Sequence, residues 1–409
     1  MNFIKSFYHW FLALGGAFFY RFPSRFVRVI GVTGTKGKTT VVELLAHIFS
    51  CAGKSVGSLS SVSVRVGEVV EKNDTGNTMP GRFFIQRFFR RAVSRGCSHV
   101  FIEVTSQGVV QHRHRFICWA GGAFLGIHPE HIESHGSFLR YLEAKTSFFR
   151  AVARNHQHDV HFFVNVLDDH AQDFVRAAFP CAVTYFPDNN APSLSVPTLP
   201  GDLNKDNIAC AVSIALAEKI PMDIIVKALQ SFPGVLGRVH FIATSPITVI
   251  VDYAHTPQSL EYIYALALSL KKNKNNKLIV VLGSAGGGRD KWKRSLFGVC
   301  VAQYADSAFF TNEDPYDEDP NSIIASLKKG FDEEISKNHR SCYAEVVLDR
   351  RNAIFTAIAK ARHGDVVLIT GKGSEAWIHG PHGTKIPWSD IATAHEGINH
   401  FKEIIKNTA

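Results

Sequence analysis

The sequence has few cysteines, and none of them is arranged to cross-link the chain or to bind a metal. The 7 cysteines are odd in number and scattered, without a Cys-x-x-Cys pair or a His/Cys cluster. This pattern argues against a disulfide framework and a structural zinc site, and it fits a reducing cytosol. Repeats and low-complexity segments are lacking as well, so a chain of 409 residues predicts two or three ordinary globular domains.

A cleavable leader and a long hydrophobic run are also missing. Residues 1–24 are rich in aromatic side chains but contain no small-residue cleavage site, which argues against a signal peptide. The apolar run from Phe7 to Tyr20 includes His9 and is short for a membrane span. Two interpretations are favoured over a span: a helix lying on the inner membrane surface, and a helix packing on the protein.

Acidic residues are outnumbered by basic ones. The formal net charge is +9 and the pI is near 9.1, which is consistent with an anionic partner. A nucleotide, a nucleotide-linked substrate, nucleic acid and an acidic membrane surface all fit, as does a basic protein without a special partner. Nucleic acid is disfavoured because no aromatic-basic surface motif is present.

A loop rich in glycine, threonine and lysine lies between the first predicted strand and a predicted helix. Alternating apolar residues from Val27 predict the strand, and helical spacing from Val41 predicts the helix. The loop residues are Gly34, Thr35, Lys36, Gly37, Lys38, Thr39 and Thr40. A strict P-loop requires glycine where Val32 stands. An ordinary strand–helix turn would not explain the Lys-Thr-Thr, so we predict that the loop binds nucleotide phosphates, with Lys38 on the phosphates and Thr39 on Mg²⁺.

Further strands alternate with helices and end in polar residues. The strand from His99 ends near Glu103, and the strand from His161 ends near Asp168. Such alternation predicts a doubly wound parallel sheet whose carboxyl ends bind ligands. Glu103 is therefore either a metal ligand near the phosphates or a solvated carboxylate at a strand end.

The alternation restarts after a segment with the punctuation of a domain boundary, residues 232–240. We predict an N-terminal apolar helix (1–24), a P-loop-type ATP-binding domain with a mainly parallel sheet (25–236) and a smaller Rossmann-like α/β domain (237–409). The loops of the last domain are expected to face the ATP-binding domain across a cleft.

Together these motifs resemble the Mur ligase family, whose members form amide bonds with ATP during peptidoglycan assembly. The resemblance covers roughly residues 25–400, and it is strongest to the members that add the third amino acid to UDP-N-acetylmuramoyl-dipeptide. It implies ATP and Mg²⁺ as cofactors and a reaction through an acyl phosphate. The implied partners are an anionic nucleotide-linked muropeptide and an amino acid.

The resemblance also implies roles for residues of the first domain. Lys38 matches the catalytic lysine of the ATP loop, and Glu103 and His131 match Mg²⁺ ligands. Lys145 matches a lysine that is carboxylated to a carbamate and binds a second Mg²⁺. Alone it would be interpreted as a solvated helix lysine, although a partly desolvated amine can capture CO₂. The residues that match contacts to the UDP-muramoyl substrate are Asn77, Thr78, Thr105, Gln111 and Arg113.

In the second domain the resemblance implies two groups of contacts. Nucleotide contacts are implied for Arg238, Asp252 and His255, and contacts to the incoming amino acid for Arg289, Asp314, Gly371 and Glu375. Tyr316 stands where the diaminopimelate-adding members have arginine. A tyrosine cannot clamp a carboxylate as a guanidinium does, so the resemblance does not imply diaminopimelate.

The resemblance leaves alternatives open. Only about 25 residues precede the predicted ATP-binding domain, so the family's N-terminal uridine-binding domain is expected to be absent. A polyglutamate- or cyanophycin-type amide ligase therefore remains an alternative, as does a non-catalytic ATP-binding scaffold. The expected location is the cytoplasm, with peripheral membrane contact through residues 1–24 left open.

Overall fold

The computed structural model describes residues 3–128, 135–154, 159–187, 194–288 and 291–408. The chain forms two compact units, Met1–Pro233 and Gly234–Ala409. Each contains a mainly parallel β-sheet flanked by helices. The predicted α/β class, with a large sheet and a second sheet domain, is confirmed.

The first unit begins with a helix and then alternates strands and helices. Its described helices are α1 (Phe3–Phe19), α2 (Lys38–Cys51), α3 (Arg82–Ser94), α4 (Ser106–Val110), α5 (Phe138–Ala153), α6 (Ala171–Ala178), α7 (Asp202–Ala217) and α8 (Met222–Ser231), with a 3₁₀ turn at Pro23–Phe26. Its described strands are β1 (Arg28–Thr33), β2 (Val56–Leu59), β3 (Ser63–Val66), β4 (Val69–Lys72), β5 (His99–Glu103), β6 (Trp119–Phe124), β7 (His161–Asn165) and β8 (Ala182–Phe186).

The sheet of this unit places the ends of its central strands side by side. The strand order is β4-β3-β2-β5-β1-β6-β7-β8 among the described residues. The β2–β3 and β3–β4 pairs are antiparallel, and the other described pairs are parallel. In register, Val32 of β1 lies opposite Glu103 of β5, and Thr33 lies opposite Phe124 of β6. The loops that follow β1, β5 and β6 therefore emerge at one edge, as parallel pairing requires.

Three strands of the first sheet escaped the sequence analysis. The β3–β4 hairpin turns at Gly67, whose φ of +64° favours glycine, and it extends the sheet beyond β2. Strand β8 forms the other edge. The two edge strands, β4 and β8, bury less apolar surface than central strands, which weakens their sequence signal.

Helix α1 packs against α3 through its small residues. Ala13, Gly16 and Ala17 are buried, and a Cβ at Gly16 would lie 3.5 Å from the backbone of Phe83. Of the alternatives for residues 1–24, packing on the protein is therefore observed. Within the described ranges, no helix has the length and apolar character needed to cross a bilayer.

The second unit repeats the alternation on a smaller sheet. Its described helices are α9 (Pro257–Ser269), α10 (Lys293–Tyr304), α11 (Pro320–Asn338), α12 (Arg350–Lys360) and α13 (Asp390–Thr408), with a 3₁₀ turn at Pro381–Gly383. Its described strands are β9 (His240–Ala243), β10 (Thr248–Asp252), β11 (Leu278–Leu282), β12 (Ser307–Phe310), β13 (Tyr343–Val346), β14 (Val366–Thr370), β15 (Trp377–His379) and β16 (Lys385–Pro387).

The strand order of the second sheet is β13-β12-β11-β14-β10-β9, with β9 antiparallel, and β15 pairs with β16 separately. Both faces are covered: Ile250 of β10 packs in one apolar cluster, while its neighbours Val249 and Val251 pack in another. This period of two on a doubly covered sheet explains the continuous apolar runs of the central strands. Asp252 and Thr370 are paired at the ends of β10 and β14, so their following loops are adjacent.

Candidate active site

The loop between β1 and α2 has the form of a phosphate cradle. Gly37, with φ of +83°, precedes the first residue of α2, and no side chain caps this helix start. A Cβ at Gly37 would lie 2.1 Å from Asn207 Oδ1, so glycine is required here. The uncapped N–H groups and the positive end of the helix dipole favour an anion at this point.

Two lysines meet at one carbonyl of this loop. Lys38 Nζ donates to the carbonyl oxygens of Gly34 and Thr35, both at 2.9 Å. Lys145 of α5, which is 1% exposed, donates to the same Gly34 oxygen at 2.8 Å and lies 4.9 Å from the Tyr141 ring centre. Lys145 is therefore buried against the phosphate loop instead of solvated. Thr35 is held from the other side by the Tyr141 hydroxyl, 3.1 Å away.

Ser61 links Glu103 to Thr39 of the phosphate loop. The fully buried Glu103 accepts hydrogen bonds from the Ser61 backbone N–H at 2.6 Å and from its hydroxyl at 3.3 Å. The same hydroxyl lies 3.5 Å from Thr39 Oγ1 and 3.0 Å from Thr78 Oγ1. Carboxylate and hydroxyl oxygens are ligands that Mg²⁺ prefers, so the chemistry of this group fits the ion. His131, the other residue proposed as a metal ligand here, lies outside the described residues.

The residues matched to a UDP-muramoyl substrate fall in two segments. Thr105 caps α4 by accepting from the Gly108 N–H, and the turn after α4 carries Gln111 and Arg113. Arg113 donates to Gln111 Oε1 at 2.7 Å and also to the carbonyl of Met79. Burial, and secondarily the nearby Arg82, lower the pKa of Arg113 from its ordinary value.

The other segment precedes α3. Asn77 is exposed and accepts through its carbonyl from Asn73 Nδ2 at 3.1 Å. Thr78, which follows it, contacts Ser61 as described. The structure therefore brings Thr78 and Glu103 into one network, while Asn77 faces solvent beside it.

In the second unit, the nucleotide-matched residues surround the end of β10. Asp252 accepts from the N–H groups of Val239 and Ala254, both at 2.7 Å, which fixes the turn that carries Arg238. Burial raises the pKa of Asp252, against the effect of these hydrogen bonds. His255 Nδ1 lies 2.9 Å from the Tyr253 carbonyl. The Nε of Arg238 is buried and has no hydrogen-bond partner among the described residues, and its guanidinium lies 5.2 Å from the Tyr253 ring centre.

A buried charge cluster lies beside this turn, in the loops after β12 and β14. Lys372, which is fully buried, donates to both Asp314 oxygens at 2.8 Å and to Glu375 Oε2 at 2.5 Å. Burial lowers the pKa of Lys372, but the carboxylates of Glu375 and Asp314 outweigh it, so the net shift is upward.

Glu313 completes this cluster. A Cβ at Gly371, whose φ is +107°, would lie 2.3 Å from Glu313 Oε2, so the loop can pass this carboxyl only as glycine. Burial raises the pKa of Glu313 to about 7, although Arg350 and Lys372 oppose the shift. The cluster thus contains a carboxyl group that is partly protonated near neutral pH.

Tyr316 is packed as an aromatic residue beside the cluster. Its ring stacks on His379, with 5.3 Å between ring centres, and its φ is +50°. The backbone N–H of His379 donates to Asp314 Oδ1 at 2.8 Å. Arg289, the remaining residue matched to the amino-acid substrate, lies outside the described residues.

The sequence analysis assigned no role to three residues at these sites: Ser61, Glu313 and Lys372. Each lies close in sequence to a strand end or to a residue of a motif. Glu313, for example, directly precedes Asp314. Ser61 comes two residues after β2, and Lys372 lies between Gly371 and Glu375. Their position in a loop at the carboxyl edge of the sheet is the signal that could have identified them.

Comparison with known families and proteins gives consistent matches. The family profile described as "Mur ligase middle domain" matches residues 32–221, and the profile "Mur ligase, glutamate ligase domain" matches residues 237–373. A UDP-N-acetylmuramyl-tripeptide synthetase of Roseiflexus sp. (strain RS-1) is 33% identical over 425 residues, covering 95% of this chain and 81% of the relative. A UDP-N-acetylmuramoyl-L-alanyl-D-glutamate--2,6-diaminopimelate ligase of Syntrophomonas wolfei is 33% identical, covering 89% of this chain and 77% of the relative.

Solved structures share the fold. A UDP-N-acetylmuramoyl-L-alanyl-D-glutamate--2,6-diaminopimelate ligase aligns with a TM-score of 0.60 at 24% identity, covering 91% of this chain and 78% of that one. A Mycobacterium tuberculosis folylpolyglutamate synthase complexed with ADP aligns with a TM-score of 0.67 at 14% identity, covering 96% of this chain and 94% of that one. At these identities the likeness concerns the fold alone.

Proposed function

Because the chain belongs to the Mur ligase family and is thus an ATP-dependent amino-acid ligase of peptidoglycan synthesis, we propose that it adds the third amino acid to UDP-N-acetylmuramoyl-dipeptide. The observation that carries the proposal is the phosphate loop, whose uncapped helix start and Lys38 lie at the same sheet edge as Glu103. The relative named a tripeptide synthetase, 33% identical over 95% of this chain, supports the choice of substrate.

The loop would bind the nucleotide and position its terminal phosphate. The loop N–H groups up to Thr40, apart from that of Thr35, which donates to the Gly126 carbonyl at 2.8 Å, would bind the phosphate oxygens of ATP. The ammonium of Lys38 would join them by leaving its carbonyl partners. A carboxylate oxygen of the dipeptide then attacks the γ-phosphorus, which gives an acyl phosphate and releases ADP. The amine of the amino acid attacks the acyl carbon, phosphate leaves, and the nitrogen loses a proton to give the amide.

Magnesium would be held by the oxygen ligands of the first unit. Thr39 and Glu103 are the described candidates, with His131 as a further one. When bound, Mg²⁺ neutralises charge on the transferring phosphate. We further propose that Lys145 is N⁶-carboxylated, since CO₂ is captured by a neutral amine, which burial favours over the ammonium form, and Lys145 lies beside the Gly34 carbonyl of the loop.

Two groups of residues would hold the substrates. Thr78, Thr105, Gln111 and Arg113, with Asn77 beside them, would contact the muropeptide, because they cluster around the turn after α4 and the segment before α3. In the second unit, Arg238, Asp252 and His255 would contact the nucleotide. Asp314, Gly371 and Glu375, with Arg289, would contact the amino acid.

The amino acid is proposed not to be diaminopimelate. Tyr316 is stacked on His379 and offers no guanidinium for a second carboxylate. The carboxylates of Asp314 and Glu375 instead favour a cationic or neutral side chain in their vicinity. We propose that the reaction takes place in the cytoplasm, because it uses ATP and a nucleotide-linked precursor.

Phosphate release from ATP tests this proposal. The chain is incubated with UDP-N-acetylmuramoyl-dipeptide and, in turn, lysine, ornithine, alanine, glutamate and diaminopimelate. Release that requires the dipeptide and one amine, and that Lys38→Ala lowers at least ~10³-fold, supports the ligase. Lys54→Ala, an exposed lysine after α2, is the control and keeps the wild-type rate.

Two outcomes would contradict the proposal. Release with an amine but without any need for the UDP-dipeptide would identify a polyamide-type ligase of the same fold. ATP binding without turnover for every amine would identify a non-catalytic scaffold.

A further inference from the structure

Helix α1 has the reverse of the burial pattern of an ordinary surface helix: its small residues are buried and its large ones are exposed. Its buried stripe consists of Ala13, Gly16 and Ala17, whereas its large aromatic residues face outward. The outward residues are Phe7 (60% exposed), Phe11 (59%), Phe18 (75%) and Phe19 (70%). A surface helix normally buries its large apolar residues, so a contiguous exposed aromatic face indicates a surface that is covered by a partner.

Phe83 of α3 and the residues after α1 continue this surface. Phe83 is exposed, and its ring lies 6.4 Å from that of Phe19. Phe18, Phe19, Phe22 and Phe83 line a groove of about 610 Å³ together with Gly15 and Arg21. The aromatic surface of α1, Phe22 and Phe83 is thus a continuous apolar surface with a recess in it.

The two segments that form this aromatic surface carry no acidic residue. Residues 1–42 and 82–102 contain no Asp or Glu. Exposed cations border the surface at Lys5, Arg21 and Arg25, and at Arg87, which shares a helical face with Phe83. Arg91, further along α3, is instead paired with Glu71 and does not contribute.

From these observations we infer that the aromatic surface of α1, Phe22 and Phe83 docks on an anionic lipid bilayer. Aromatic side chains enter the headgroup region, and the cations that border them attract acidic lipids. The recess beside Phe22 offers space for part of a lipid molecule. This inference goes beyond the ligase reaction and concerns where the enzyme works.

The docked surface adjoins the turn proposed to contact the muropeptide. Ser6 of α1 hydrogen-bonds His112 at 2.8 Å, and Arg82 of α3 donates to the Gln111 carbonyl at 2.8 Å. Docking would therefore bring the muropeptide end of the first unit close to the membrane. The proposed binding partner of this surface is the bilayer, and the ligase reaction does not require membrane binding.

Co-sedimentation of the full chain with vesicles tests the inference. Wild-type protein is expected to sediment with phosphatidylcholine vesicles that contain phosphatidylglycerol, and to stay in solution with phosphatidylcholine alone. The triple variant Phe7→Ser/Phe11→Ser/Phe18→Ser should lower the partition coefficient at least ~10-fold. Lys5→Gln/Arg25→Gln/Arg87→Gln should lower it by a similar factor, and about 0.5 M NaCl should do the same to wild type.

A matched control replaces exposed apolar residues elsewhere in the first unit. Leu167→Ser/Phe179→Ser/Leu216→Ser removes side chains that are 67%, 80% and 44% exposed and lie outside the aromatic surface, and it should leave vesicle binding unchanged. ATP-dependent ligase activity without vesicles should be equal in the wild type and all three variants, which separates this test from that of the proposed function.

Three results would overturn the inference. If the wild-type protein stays in solution with anionic vesicles at low salt, the aromatic surface does not bind membranes. A control variant that loses binding as strongly as the aromatic one would show non-specific adsorption. A wild-type dimer in light scattering that the aromatic variant converts to monomer, without vesicle binding in either, would show that a second copy of the chain covers the surface.

Discussion

Two buried lysines, one in each unit, are held by different groups. Lys145 meets the carbonyl oxygen of Gly34 and, at 3.5 Å, the hydroxyl of Thr33. Lys372 meets the carboxylates of Asp314 and Glu375. A carbonyl or hydroxyl accepts from a neutral amine as well as from an ammonium group, whereas a carboxylate stabilises the ammonium form.

The difference teaches what each lysine can do. The upward shift of the pKa of Lys372 keeps its charge, so this residue fixes the loop that follows β14. The contacts described for Lys145 tolerate a neutral amine, which is the form that reacts with CO₂. We therefore expect a chemical role for Lys145 and a positioning role for Lys372.

The largest expected effect comes from removing Lys145. Lys145→Ala should lower the ligase rate at least ~10²-fold, since it removes a proposed anionic metal ligand. Acetate or formate should restore part of the rate, and ¹³C-bicarbonate should give wild-type protein, but not the variant, a carbamate signal in NMR. A wild-type chain that gives no such signal while fully active would refute the chemical role.

Removing Lys372 should act on stability. Lys372→Met leaves the two carboxylates without their cation, and we expect the free energy of unfolding to fall by about 3 kcal/mol. Lys360→Met, which removes an exposed pair with Glu345, should cost less than about 1 kcal/mol. The measurement is urea unfolding followed by tryptophan fluorescence. Restoration of activity in Lys372→Met by acetate would erase the proposed distinction between the lysines.

Glu313 provides a second test of the charge balance around Lys372. Its pKa in the folded chain is about 7, against about 4.3 when unfolded. The folded chain therefore binds more protons between these pH values, and this residue's contribution to stability is lost as the pH rises from about 4 to about 7. Glu313→Gln should stabilise the chain by about 4 kcal/mol at most at pH 8, and by about 1 kcal/mol at pH 5.

Urea unfolding at the two pH values measures this difference. Glu333→Gln, on the exposed face of α11, is the control and should show no pH-dependent gain. Equal effects of Glu313→Gln at both pH values would mean that Glu313 is ionised throughout.

The smallest expected effect is at the edge of the same cluster. Tyr253 donates a hydrogen bond to Glu375 at 3.2 Å, and Tyr253→Phe removes it while Lys372 still holds the carboxylate. We expect the KM for the amino acid to rise about threefold, equivalent to less than about 1 kcal/mol. Tyr343→Phe, which removes an exposed bond to Glu345, should leave the KM unchanged. A tenfold or larger rise would show that Tyr253 itself contacts the substrate.

The sequence predicted what is local along the chain. The phosphate loop could be identified because Gly37, Lys38 and the start of α2 are consecutive. The α/β class followed from the alternation of apolar runs, and the structure confirms it. Glu103 could be placed at the sheet edge because it ends a strand.

What the sequence could not predict depends on pairing between distant segments. Ser61 reaches Glu103 only because β2 pairs with β5, and 42 positions separate the two residues along the chain. The pKa of Glu313 depends on burial by the loop at Gly371, which sequence spacing does not reveal. The outward aromatic face of α1 likewise appears only once α3 has covered the opposite stripe.

The Gly34 carbonyl accepts from both Lys38 and Lys145, and this has a consequence for how the enzyme can evolve. A change at either lysine alters the electrostatic surroundings of the other, so their substitutions should be strongly epistatic. Lineages are therefore expected to keep or lose the two residues together. Directed evolution of the ATP loop would need to vary α5 at the same time.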